Sequence, residues 1–160
     1  VDALTARGIV AGGMTTDEMR DGAVRIGFRV RNLLTGQLGV LASVAHRGPR
    51  VGKYGVNISD LDAIGAAAIE EAISRAQLVV IDEVGPMELY SVKFVSAVEL
   101  AIQSAKPVLA SIHRNARHPL IEEIRSRQDV RKLTLDRSNR DRVVAELTEE
   151  FGKSAEGGFG

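Results

Sequence analysis

The chain contains no cysteine and no tryptophan, only four prolines in 160 residues, and just 4% aromatic residues. Without cysteine there is no disulfide framework and no thiolate metal site, a composition compatible with the cytoplasm, the expected location. So few aromatics argue against a base-stacking platform for single-stranded nucleic acid, and no nucleic-acid partner is expected. No run of 18 apolar residues occurs, so no segment reads as a membrane span, and the first residues lack a charged-then-apolar leader pattern. Neither sign of charge dominates: Lys+Arg and Asp+Glu stand at 21 each. The molecule as a whole therefore has no polyanion-seeking bias.

What is present suits one compact α/β domain over residues 1–151. Hydrophobic content of 44% with 26% charged residues supports a sizeable core. The Gly-rich stretch 152–160 reads as a flexible tail. Basic residues are locally enriched between His113 and Arg142, most of them readable as a solvated helix face.

Val1–Arg7 reads as the end of a helix closed by Gly8, followed by a short buried strand at Gly8–Gly12. Val24–Leu34 and Leu38–Val44 are β-rich runs joined through Thr35-Gly36 as a hairpin. Arg47–Val56 is Gly/Pro-rich and reads as a loop. Ser59 and Asp62 have capping-box spacing at the head of a helix whose apolar residues recur from Leu61 to Ala76. Leu78–Ile81 is an uninterrupted apolar run, as in a strand covered on both faces. A helix over Ser91–Ser104, a buried strand at Pro107–Ile112 and a short helix opened by Pro119 follow. A last strand at Val130–Leu135 and a last helix at Ser138–Phe151, capped by Ser138 with Asp141, complete the pattern. In that helix Val144, Leu147 and Phe151 face inward. Alternating strands and helices predict a mostly parallel sheet with helices on both faces plus an antiparallel hairpin.

The sharpest chemical signal is Leu78-Val79-Val80-Ile81-Asp82-Glu83. It places two carboxylates at the carboxyl end of a buried strand, where open α/β sheets bind ligands. This is the Walker B pattern, in which the first acid serves Mg²⁺ and the second orients and deprotonates water. A strand that simply ends at a polar surface would give the same text. The matching phosphate loop, G-x-x-x-x-G-K-[ST], is absent. The nearest candidate, Gly48-Pro49-Arg50-Val51-Gly52-Lys53-Tyr54, is a residue short between its glycines and carries Tyr54 where a hydroxyl for Mg²⁺ is needed.

Several ordered motifs together resemble the cancer-related and thermophile-type nucleoside-triphosphatase family, a P-loop NTPase family. They are Gly12-Gly13-Met14-Thr15-Thr16-Asp17-Glu18 with Arg25-Ile26-Gly27-Phe28, and Gly48 to Asn57. Ile81-Asp82-Glu83-Val84-Gly85-Pro86-Met87-Glu88-Leu89 follows, then His118-Pro119-Leu120 with Glu123-Ile124-Arg125, and Asn139-Arg140-Asp141. The likeness spans essentially Val1 to Phe151. Met14 stands where the family usually has an aromatic. Family members open with a strand, a phosphate loop and a helix. This chain starts at Val1, within that helix, so roughly 20 upstream residues including the first strand and loop are expected to be missing.

The resemblance implies hydrolysis of ATP, GTP and other nucleoside triphosphates with Mg²⁺ and little base selectivity. Asp82 would be the metal-side carboxylate and Glu83 the general base. Ser111 and His113, ending the next strand, stand where a γ-phosphate sensor often sits, although His113 also fits a loop histidine with a local hydrogen bond. Arg114 and Arg117 lie on the ligand side and are candidates to neutralise transition-state charge; solvation is the alternative. Arg50, Lys53 and Arg140 are further candidates for contacting nucleotide. A nucleotide or nucleoside kinase on the same fold is the alternative function. A phospho-accepting receiver domain is disfavoured because Lys106 precedes its strand. Lacking the phosphate loop, the 160-residue chain itself is expected to be inactive.

Overall fold

The computed structural model describes residues 1–156, with side chains through Lys153. The elements in chain order are α1 (Asp2–Thr5), β1 (Ala11–Asp21), β2 (Val24–Asn32), β3 (Leu38–Ser43), β4 (Arg50–Val51) and β5 (Tyr54–Val56). There follow α2 (Ile58–Asp60), a π-helical segment (Leu61–Ala66) and α3 (Ala67–Arg75), continuous as one helix. Then come β6 (Leu78–Val84), a 3₁₀ turn (Glu88–Tyr90), α4 (Val92–Gln103), β7 (Val108–Ile112), α5 (Pro119–Ser126) and α6 (Arg140–Glu156).

All seven strands form one sheet in the order β4-β5-β3-β2-β1-β6-β7. The fold is α/β as expected, but the sheet is mixed rather than mostly parallel. Only β1–β6 and β6–β7 pair in parallel; the other four pairings are antiparallel. β1, β6 and β7 form a contiguous parallel unit, with Ala11↔Leu78 and Val79↔Val108 in register. Its first strand begins at Ala11 instead of Gly8 and continues to Asp21.

The extra length of β1 follows from its pairing. Thr15, Asp17 and Arg20 look polar in sequence, yet the segment lies half-exposed against β2 from Met14↔Asn32 to Asp21↔Val24. Backbone ladder bonds hold such a strand whatever its outward side chains. Asp21-Gly22, a hairpin dipeptide, was the available signal. The expected loop at Arg47–Val56 likewise contains the β4–β5 hairpin, turned by Gly52 at φ +59°. That left-handed conformation suits a residue without Cβ.

Helices cover both faces. On β6, Val79 and Ile81 point into one core with Met14, Ile69, Ala72, Phe94, Val98 and Ile121. Leu78 and Val80 point the other way, toward Leu4, Ile9 and the half-buried Phe151. This period-2 split explains why the run is apolar at every position.

Several boundaries differ from the sequence reading. The helix near Leu61 is capped by Asn57, whose side-chain oxygen accepts the Asp60 amide at 3.2 Å, not by Ser59. Asp62 instead accepts the Ser91 hydroxyl. Ser91 caps α4 by accepting the Phe94 amide at 2.9 Å. Pro119 opens α5 as expected, behind the cap His118. Asp136 organises the turn before α6, accepting the amides of Ser138 and Asn139, in place of a Ser138–Asp141 box. In α6 it is Val143 that is buried, while Val144 is exposed. The helix continues past Phe151 through Gly152 to Glu156; the remainder of the expected tail, 157–160, lies outside the described residues.

Val130–Leu135 forms no strand. Val130 packs on the core, but Leu133 and Leu135 are exposed. A strand needs a neighbour to satisfy its amides and carbonyls, and the sheet ends at β7. That edge position also makes β7 less buried than its apolar sequence suggested, with Ala110 and Ser111 exposed.

Candidate functional site

The parallel strands β6 and β7 end side by side, and their last residues gather the acidic pair. Asp82 is exposed and accepts a 2.5 Å hydrogen bond from the Ser111 hydroxyl across the strand pair. Glu83 follows it through a cis peptide bond and is half-buried. Burial pushes the Glu83 carboxyl above its ordinary range, nearby His113 opposes this, and the Asp82 charge adds to it. His113 also serves the loop: its amide bonds the Val84 carbonyl at 3.1 Å, and its Nδ1 accepts the Asn115 amide at 3.3 Å.

Glu88 joins this group from the 3₁₀ turn, where sequence reading had assigned it no role. It is only 3% exposed. Burial above all pushes its carboxyl up to about 7, the backbone amides of Glu88 and Gly85 partly offset this, and the charges of Glu83 and Asp82 raise it further. Its signal in the sequence was an acid within an otherwise apolar turn, Met87-Glu88-Leu89.

The basic candidates fall into separate places. Arg50 and Arg117 line one groove of about 440 Å³ with Pro86, Tyr90 and Asn115, between the β4–β5 hairpin and the loops after β6 and β7. Tyr90, exposed there, had no part in the sequence reading. Arg50 also donates to the Lys53 carbonyl at 2.8 Å, and the Lys53 ammonium lies 5.4 Å from the Tyr54 ring centroid. Arg114 is exposed, and its carbonyl accepts from Arg125. Arg140 is exposed on the first turn of α6. Among the described residues, no hydrogen bond or ion pair links Arg50, Lys53, Arg114, Arg117 or Arg140 to Asp82 or Glu83.

Among the described residues no group of three or more His, Asp or Glu side chains is arranged to hold a metal. The donors present are the Asp82 carboxylate and the Ser111 hydroxyl, both oxygen. That set fits Mg²⁺, which keeps several waters and takes its remaining ligands from one or two carboxylates and from substrate phosphates. No described helix is long and apolar enough to cross a membrane.

An α/β sheet with adjacent acids at the carboxyl end of an inner parallel strand defines the class of proteins that bind ligands at that edge. Comparison with known proteins narrows the class: the family model described as NTPase matches residues 1–148, and the chain belongs to that family. It is 50% identical over 152 residues to nucleoside-triphosphatase THEP1 of Thermofilum pendens, covering 94% of this chain and 84% of that protein. Against nucleoside-triphosphatase THEP1 of Methanosarcina acetivorans the identity is 49% over 144 residues, covering 90% and 81%. The fold is similar to the crystal structure of THEP1 from Aquifex aeolicus, with TM-score 0.82 and 29% identity over 94% of this chain and 88% of that one. It is also similar to the solution structure of a human cancer-related nucleoside triphosphatase, with TM-score 0.79 and 30% identity over 96% and 87%.

Proposed function

We propose that this chain forms the catalytic core of an enzyme that hydrolyses nucleoside triphosphates, ATP and GTP among them, to diphosphate and phosphate. The observation that carries the reading is the Asp82–Glu83 pair at the end of β6, with Ser111 bonded to Asp82. Its support is the family membership and the names of the relatives.

In this reading the Glu83 carboxylate accepts a proton from water as the water oxygen bonds to the γ-phosphorus. The bond from that phosphorus to the β,γ-bridging oxygen breaks, and the diphosphate leaves. Desolvation suits Glu83 to the task, because a carboxylate raised toward neutrality is a stronger base. Asp82, with Ser111 beside it, would hold Mg²⁺, which supplies charge neutralisation on the phosphates. Arg117 and Arg50 share one groove and are candidates to contact phosphate oxygens, Arg117 in the transition state. Arg114 remains a candidate for transition-state charge, His113 for sensing the γ-phosphate, and Lys53 and Arg140 for contacts elsewhere on the nucleotide. Substrates are small nucleotides without strong base preference, and the setting is cytoplasmic.

The 160 residues contain no G-x-x-x-x-G-K-[ST]. We therefore assign the phosphate cradle to a strand and loop outside this sequence, pairing with the free edge of β7 beside Ser111. The present polypeptide alone is inactive on this view.

The groove favours one second reading, transfer of the γ-phosphoryl group to a nucleotide or nucleoside. Its arginines, Tyr90 and Asn115 offer charge, a stacking face and an amide to such an acceptor. The deciding experiment is Glu83→Gln in a chain that includes the phosphate loop. Hydrolysis should fall at least about a hundredfold with nucleotide affinity nearly unchanged, since the swap keeps shape but removes the base. Retention of most turnover would rule Glu83 out as the base, and phosphate appearing on an added nucleoside or nucleotide instead of free in solution would select the kinase reading.

A further inference from the structure

A carboxylate withdrawn from water is costly unless a cation or several hydrogen-bond donors face it. Glu88 is such a group: it is 3% exposed and forms no ion pair among the described residues. The groups that act on its charge are the backbone amides of Glu88 itself and Gly85, which favour it, and the carboxylates of Glu83 and Asp82, which oppose it. An apolar residue would fill the same turn at lower cost, so the geometry around the carboxylate is what calls for explanation.

That geometry centres on Gly85. A methyl built on its Cα would lie 2.7 Å from Glu83 Oε1 and 3.0 Å from Glu88 Oε2. Both side chains thus close over the same point, and the space a Cβ would need is taken by their oxygens. The turn itself is tied down by backbone bonds from the Leu89 amide to the Gly85 carbonyl at 3.1 Å and from the Ser91 amide to the Glu88 carbonyl at 3.0 Å. Ser91 in turn caps α4, so the turn hangs on a rigid helix. Glu88 is too enclosed to meet substrate, whereas half-buried Glu83 is not.

We propose that Glu88 is the positioning residue for Glu83: its buried carboxyl group, packed over Gly85 beside the Glu83 carboxyl, fixes the turn and limits the Glu83 carboxylate to one direction at the end of β6. This rests on the hydrolase reading above and adds to it a supporting residue and a glycine that must stay unsubstituted. The reason for such support is general, because a shift of about 1 Å in a catalytic group can cost on the order of a hundredfold in rate.

The test uses the chain with its phosphate loop and four variants: Glu83→Gln, Glu88→Ala, Glu88→Gln and Gly85→Ala. Glu88→Ala removes that packing, and Gly85→Ala pushes a methyl between the two carboxylates. Each should lower kcat at least tenfold while KM for the triphosphate stays within about threefold. Glu88→Gln keeps the side chain's shape and an oxygen over Gly85 and should retain most of kcat. Unfolding curves report whether each variant is folded, and Gly85→Ala carries the test should Glu88→Ala fail to fold. Wild-type kcat in folded Glu88→Ala or in Gly85→Ala overturns the proposal, as does a Glu88→Gln enzyme as slow as Glu88→Ala. An active Glu83→Gln enzyme would instead strike the hydrolase reading itself.

Discussion

The Ser111 hydroxyl donates to Asp82 Oδ1 at 2.5 Å, joining the exposed ends of two adjacent parallel strands. Because both groups meet solvent, removing the hydroxyl should change folding stability by less than about 1 kcal/mol. On the proposed reading its weight falls on ligand binding. In a chain with the phosphate loop, Ser111→Ala should weaken Mg²⁺-nucleotide binding several-fold, and Asp82→Asn should weaken it more. Calorimetric titration with and without Mg²⁺ reads both, and equal affinities across the three proteins would remove this pair from the metal site.

The 160-residue chain should release no Mg²⁺-dependent phosphate from ATP or GTP above background. A loop of backbone amides and a lysine is the main anion cradle of this chemistry, and none is encoded between Val1 and Gly160. Turnover matching that of a chain with the loop would show that these residues suffice.

Glu88 should make the folded state lose stability as pH rises. Its folded pKa, about 7, lies above the ordinary 4.5. Between those values the native state binds more protons than the unfolded one, so unfolding free energy falls with increasing pH. The contribution is fully present below about pH 4.5 and is lost as pH passes 7. A shift of this size corresponds to about 3 kcal/mol. Denaturant unfolding from pH 4.5 to 8 should therefore show Glu88→Gln gaining on the wild type as pH rises. Parallel curves would show that Glu88 ionises as it does when unfolded.

Phe94 is fully buried between α4 and the sheet. Phe94→Ala should cost about 3–5 kcal/mol, read as a lower denaturant midpoint. A cost under about 1 kcal/mol would mean that the core closes over the gap.

The acidic pair was legible because its context is local. Four apolar residues before Asp82-Glu83 mark a strand covered on both faces, and such a strand ends at the sheet edge. Ser111 was legible by position, at the end of the next strand. Glu88 was not: only folding shows that the turn after β6 brings it to Gly85 and Glu83 and shuts out water. The groove was hidden for the same reason, since Arg50, Tyr90 and Arg117 come from β4, the 3₁₀ turn and the loop after β7, far apart in the chain.

The sequence by itself determined the alternation of strands and helices, the buried β6, the Thr35-Gly36 hairpin and the start of α5 at Pro119. Each depends on neighbours in the chain: apolar period, turn dihedrals and a proline that fits a helix start. Tertiary structure alone decided how far β1 runs, that Arg50–Val56 forms a hairpin, and that Val130–Leu135 forms no strand. Strand identity is settled by whether a partner backbone stands alongside. Polar β1 has β2 beside it, whereas among the described residues β-prone Val130–Leu135 lies alongside no strand, β7 included. The charge state of Glu88 was decided in the same way, because it depends on what surrounds the carboxylate rather than on its neighbours in the chain.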